Sequence, residues 1–164
     1  MAARAARRLL VVATLLAASL PAPSAAAATT YSDSVTGVEY AATSTEGRFA
    51  GTASGSLPGY WDAVVDHTQL SPNAVITGGT FSLSTILNGT ATRIDGTFSS
   101  GTVTQTVAGA HCTNQQYAVQ GVLAGVQGSG TGQLDVTLTH YRKRIFGHCV
   151  TYSAAVSGTV TLIF

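Results

Sequence analysis

Charge is scarce in this sequence. Only 9% of its 164 residues are Asp, Glu, Lys or Arg. A nucleic-acid binder needs clustered Lys and Arg to neutralise phosphates, so that class is excluded. Cysteine is limited to Cys112 and Cys149, and a structural zinc site needs a closely spaced pair of the C-x₂₋₄-C kind. The serine-rich chain has no G-x-S-x-G nucleophile elbow. No motif for a cofactor is found, and none is expected. Beyond the N-terminus no apolar run reaches the ~20 residues of a membrane-spanning helix.

The N-terminus holds the one long apolar stretch. Arg4, Arg7 and Arg8 precede Leu9 to Leu20, an uncharged apolar run. Pro21 and Pro23 then end any helix, because proline has no amide proton to donate. Small residues Ala25 to Ala28 offer cleavage sites. This order predicts a secretory signal peptide over residues 1–28. Its removal leaves a secreted protein, extracellular or in a periplasm-like space, without a membrane span. Three of the eight Lys and Arg lie in the leader, leaving five against seven acids and a net charge of −2 with His neutral. The slightly basic whole chain becomes slightly acidic.

Export also decides how the cysteines read. In an oxidising compartment an isolated pair is a disulfide. Closing the Cys112–Cys149 loop is worth about 4 kcal/mol in the chain-entropy model.

Residues 29–45 read as a small, polar N-terminal lead-in with a weak strand at Val35 to Ala41. Residues 46–164 read as one all-β domain, since hydrophobic period two runs almost throughout. Strands are expected at Arg48–Leu57, Tyr60–Leu70 and Ala74–Leu87, the last with a bulge or bend at Gly78-Gly79. Asn88-Gly89 is a two-residue hairpin turn, because both its positions need positive φ; its sequon, Asn88-Gly89-Thr90, matters only in a eukaryotic secretory host. Thr90–Phe98 and Thr102–Val107 follow, separated by a break at Ser99-Ser100-Gly101. Gln116–Leu123 and Gln133–Arg142 flank a Gly-rich loop at 125–132. A loop at Lys143–His148 leads to a long final strand. Glycines on inward faces favour a closed antiparallel barrel of about seven or eight strands. A two-sheet β-sandwich is the alternative, since it also buries one face of each strand.

Candidate residues follow from the alternation. His67 continues the apolar face of Trp61, Ala63 and Val65. His140 continues that of Leu134, Val136 and Leu138. Both could line a barrel mouth. With Asp66 and Tyr141 nearby in sequence they are also candidates for acid–base work. Arg142, Lys143 and Arg144 hold three of the five basic residues outside the leader and could meet an anionic group. His111 and His148 each precede a cysteine, so the disulfide would draw them together as candidate metal ligands. The preferred reading leaves them as bystanders.

Three function classes remain. The first is a non-catalytic module that binds a small molecule, glycan or protein partner through Trp61, His67, His140, Tyr141 and the Arg142–Arg144 segment. The second is a small-barrel enzyme of isomerase or cyclase type, using His67 or His140 with Asp66 or Tyr141. The third is a structural cell-surface protein. The interior discriminates among them: a polar cavity holding both histidines favours an enzyme, an apolar cavity a ligand binder, and a filled interior a structural or interaction role.

Overall fold

The structure, a computed structural model, describes residues 27–164. The expected leader lies outside them except for its last two residues. Eight antiparallel strands run β1 Thr30–Ala42, β2 Glu46–Gly55, β3 Gly59–His67, β4 Ala74–Leu87, β5 Thr90–Val107, β6 Gln115–Val126, β7 Gly130–Ile145 and β8 His148–Ile163. Each pairs with the next, and β1 pairs with β8, closing the barrel. The sandwich alternative is thereby set aside. No helix among the described residues is long and apolar enough to cross a membrane.

Polarity follows the pleat. Val35, Leu83, Ile94, Leu123, Val160 and Leu162 point inward and are fully buried. Outward positions such as Thr36, Thr52, Ser84, Thr97 and Thr159 are exposed. A membrane barrel has the opposite arrangement, apolar outside and polar inside. The core is thus the barrel interior itself, filled by side chains as in other small barrels.

One side chain shapes that filling. Trp61 lies inside the barrel at 2% exposure, stacked near Phe81. Its register partner on β2 is Gly51, whose own partner on β1 is Gly37. A Cβ on Gly51 would meet the Thr36 carbonyl oxygen at 1.9 Å. The two strands approach closely there, and the indole Nε1 donates to that same Thr36 carbonyl at 3.2 Å.

Four local expectations are corrected. In residues 29–45 the weak strand expected at Val35 to Ala41 is the full-length β1, which closes the barrel against β8 and so is part of the domain, not a lead-in to it. Ser99–Gly101 does not break the strand; β5 runs through it with a register shift between Phe98 and Ser100. The Gly-rich loop at 125–132 shrinks to a turn between Val126 and Gly130. The Lys143–His148 loop shrinks to a turn at Phe146-Gly147.

This last change lengthens the β7–β8 hairpin beyond the barrel wall. Pairing of β6 with β7 stops at Gln115↔His140, and pairing of β1 with β8 stops at Val38↔Ala155. Pairing of β7 with β8 continues to Ile145↔His148. Residues 141–153 therefore form a two-stranded ribbon past the rim.

A buried acid holds the opposite end. Asp33 is 2% exposed, and its Oδ1 accepts the Leu57 backbone N–H at 2.7 Å. Its Oδ2 has no hydrogen-bond partner.

Candidate functional site

The turns after β1, β3, β5 and β7 gather at one end of the barrel. Strand alternation carries His67 and His140 to this end, each one pleat above a buried residue, Val65 and Leu138 respectively. A cavity of about 240 Å³ opens there and both histidines line it. Its floor is apolar, with Phe49, Val65, Val119 and Leu138; its rim is polar, with Glu39, Glu46, His67, Gln69 and His140. Below the floor lies only a void of about 10 Å³, beside Trp61 and Leu134. The interior is therefore neither a deep apolar tunnel nor a polar chamber. It is a filled barrel with a shallow two-faced cup at one mouth.

His140 is held from two sides. Its Nε2 lies 2.8 Å from Glu39 Oε2, with side-chain exposures of 18% and 11%. The Tyr117 ring stands edge-on to the imidazole at 5.4 Å between centroids. An ionised carboxylate only accepts, so His140 donates Nε2–H to Glu39. His67 is oriented differently: its Nδ1 is 2.7 Å from the Thr68 carbonyl oxygen, so the proton sits on Nδ1. Glu46, also on the rim, accepts from Arg48 Nε at 2.6 Å. This hydrogen bond, and then the charge of Glu46, raises the Arg48 pKa above its ordinary value.

The other sequence candidates lie elsewhere. Trp61 is a core residue below the cup and does not line it. Asp66 is out of phase with inward-facing Val65 and His67, and its carboxylate lies beside Gly78. Tyr141 sits on the ribbon, its ring 6.5 Å from that of Tyr152. Arg142, Lys143 and Arg144 lie on strand β7, paired with β8, and not on a loop.

Arg142 does structural work. Its backbone N–H donates to Asn114 Oδ1 at 3.2 Å, and its Nη1 donates to the Gly109 carbonyl at 3.2 Å. Lys143 Nζ lies 4.9 Å above the Tyr152 ring. Arg144 is exposed.

Cys112 and Cys149 are disulfide-bonded, with Cα atoms 5.5 Å apart. The bridge fastens the β5–β6 loop to the ribbon, and His111 and His148 flank it in the open. Among the described residues, no three His, Cys, Asp or Glu side chains gather to hold a metal ion.

Two features escaped the sequence reading. Glu39 lies in residues 29–45, where the sequence shows only a weak strand. The second is a triad on the outer wall. Ser82 Oγ donates to Asp95 Oδ1, Arg93 Nε donates to Asp95 Oδ1 at 2.8 Å, and Arg93 Nη2 donates to Ser82 Oγ at 2.6 Å. The Ser82 hydrogen bond first, and that of Arg93 second, hold the Asp95 carboxyl below its ordinary pKa. The same hydrogen bond to Asp95 leads in raising that of Arg93. Its only sequence signal is Arg93-x-Asp95, two residues apart and so on one face of a strand.

Compared with protein-family models, with curated proteins and with solved structures, the chain matches none of them.

Proposed function

We propose that this is an exported, non-catalytic binding module that takes a small amphipathic molecule into the β-barrel mouth. The carrying observation is the cup itself, about 240 Å³ with an apolar floor and a rim of His67, His140 and two glutamates. Ligand sites combine apolar walls with a few placed polar groups, and drug-sized ones occupy ~300–1,000 Å³. This cup is smaller, so it suits a single ring or a short alkyl chain. The apolar body would rest on Val65, Val119 and Leu138. A hydrogen-bonding head, neutral or cationic, would meet the rim, whose acids disfavour an anion. The disulfide supports an oxidising location outside the cytoplasm.

The test is an NMR titration of the oxidised protein with small aromatic and alkyl amines and alcohols. Methyl signals of Val65, Val119 and Leu138 are expected to shift together, and Val119→Phe, which fills the cup, is expected to remove the response. Shifts confined to the outer wall, or none at any concentration, would overturn the reading.

A second reading is supported by the Glu39–His140 pair. A carboxylate that orients an imidazole is the arrangement of an activated general base, so a small-barrel enzyme remains the alternative. It requires that a bound molecule be converted, and that His140→Gln abolish conversion while binding persists.

A further inference from the structure

Phe146 is 98% exposed at the tip of the β7–β8 ribbon. Its φ is +48° and that of Gly147 is +82°. The β4–β5 hairpin has the same geometry, with Asn88 at +52° and Gly89 at +78°. There the chain uses Asn-Gly, the residues this turn favours. At the ribbon tip it places a bulky aromatic where L side chains rarely go. The choice costs backbone strain and exposes an aromatic ring to water. Nothing in the fold is gained, because the ring touches no core.

The ribbon beneath that ring is braced. The disulfide ties Cys149 to the β5–β6 loop, and Arg142 bonds the same loop twice. The side chains ascend in layers: Tyr141 and Tyr152 near the rim, Lys143 and Arg144 above them, then Ile145 and Phe146. Tyr152 and Ile145 are exposed as well. Lys143 and Arg144 bring two cations to this finger of a slightly acidic domain.

We infer that the ribbon is a membrane-docking finger, and that its occupant is the surface of an anionic lipid bilayer. Phe146 and Ile145 enter the acyl boundary. Lys143 and Arg144 lie level with the lipid phosphates, and the tyrosines sit in the interfacial zone where aromatic rings with a polar tip collect. The bracing removes the ordering cost that a floppy hairpin would face. The mouth cavity lies at the same end of the barrel, so docking brings the cup to the bilayer surface.

The test uses the oxidised protein recovered from an exporting host. It is sedimented with vesicles of phosphatidylcholine alone or mixed with phosphatidylglycerol, and all variants are compared in that same chain. Binding is expected to the mixed vesicles and to fall with added salt. Phe146→Asn installs the residue the chain already uses in its equivalent turn, so the fold is preserved. It should weaken binding at least about tenfold. Lys143→Ser with Arg144→Ser should cost about fivefold per charge and flatten the salt dependence. Cys112→Ser with Cys149→Ser, which leaves the finger held to the β5–β6 loop by Arg142 alone, should weaken binding by a smaller factor. Undiminished binding by Phe146→Asn overturns the proposal. So does failure of the parent protein to bind either vesicle, which would assign the finger to a protein partner instead.

Discussion

Glu39 and His140 are 101 residues apart in sequence and 2.8 Å apart in space. They do not lie on neighbouring strands. Strand β8 runs between β1 and β7, and the two side chains reach across it inside the barrel mouth. His140 pairs with Ala154 of β8, and the β1–β8 ladder ends one residue further along, at Val38↔Ala155. Ala154 carries only a methyl group there, which leaves room for the pair to meet. A double-mutant cycle of Glu39→Leu and His140→Leu should show coupling of about 0.5–3 kcal/mol in denaturant unfolding, as for residues in one hydrogen-bonded network. Ala154→Leu should abolish most of that coupling by separating the two groups. Strict additivity of the single variants would show that the pair is not formed in solution.

The only tryptophan is fully enclosed, so its fluorescence reports on the core and not on the mouth. Emission should be blue-shifted and poorly quenched by iodide until the protein unfolds. Trp61→Ala should cost about 3–5 kcal/mol. Gly51→Ala should also destabilise markedly, since its methyl group would press on the Thr36 carbonyl that Trp61 bonds. Thermal melts of the two variants check both. A Gly51→Ala protein as stable as the parent would mean that β1 and β2 are further apart than described.

Reduction should leave a barrel. The core residues lie on strands that pair without help from the bridge, so circular dichroism should keep its β signature. The loop between Cys112 and Cys149 spans a sequence separation of 37, and opening it should lower stability by about 2–4 kcal/mol. Chemical denaturation with and without reductant measures this. Loss of all β signal on reduction would show that the bridge is needed to close the barrel.

Asp95 gives a pH dependence with a definite sign. Its folded-state pKa is depressed, chiefly by the Ser82 hydroxyl and then by Arg93. The stabilisation is therefore fully present above the ordinary carboxylate range. It is lost as pH falls through the depressed folded-state value. Asp95 is largely exposed, so solvent screening keeps the effect small. Ser82→Ala should move the Asp95 carboxyl titration back toward its ordinary position, followed by carbon-detected NMR. An unmoved titration would mean that the hydroxyl does not donate to it.

The barrel was legible where inward positions are apolar. Strand β8 reads Ala154, Val156, then Gly158, Val160 and Leu162 on one face, and the alternation alone identifies it. Strand β1, Thr30–Ala42, was legible only as a weak strand at Val35 to Ala41, for a physical reason. Its inward positions are Tyr31, Asp33, Val35, Gly37 and Glu39, so only two of five are apolar side chains. Asp33 holds the Leu57 amide, Gly37 yields space beside Gly51, and Glu39 meets His140. Each contact is long-range, and none leaves a local signature. His67 and His140 were legible as rim residues because they continue apolar faces. Their partner Glu39 was not. The ribbon was missed because Phe146 stands where a turn would call for Asn or Gly, so the turn looked longer than it is.

Closing β1 against β8 has a consequence for how the chain comes to be folded. The first described strand must wait for the last, with the whole of the sequence between them. Until β8 arrives, seven paired strands leave two bare edges, and bare edges recruit other chains. Contacts of such sequence separation also form slowly. A nascent chain therefore spends its most vulnerable interval with seven of the eight described strands made. Loss of the last residues of β8 should be felt as clumping in the host.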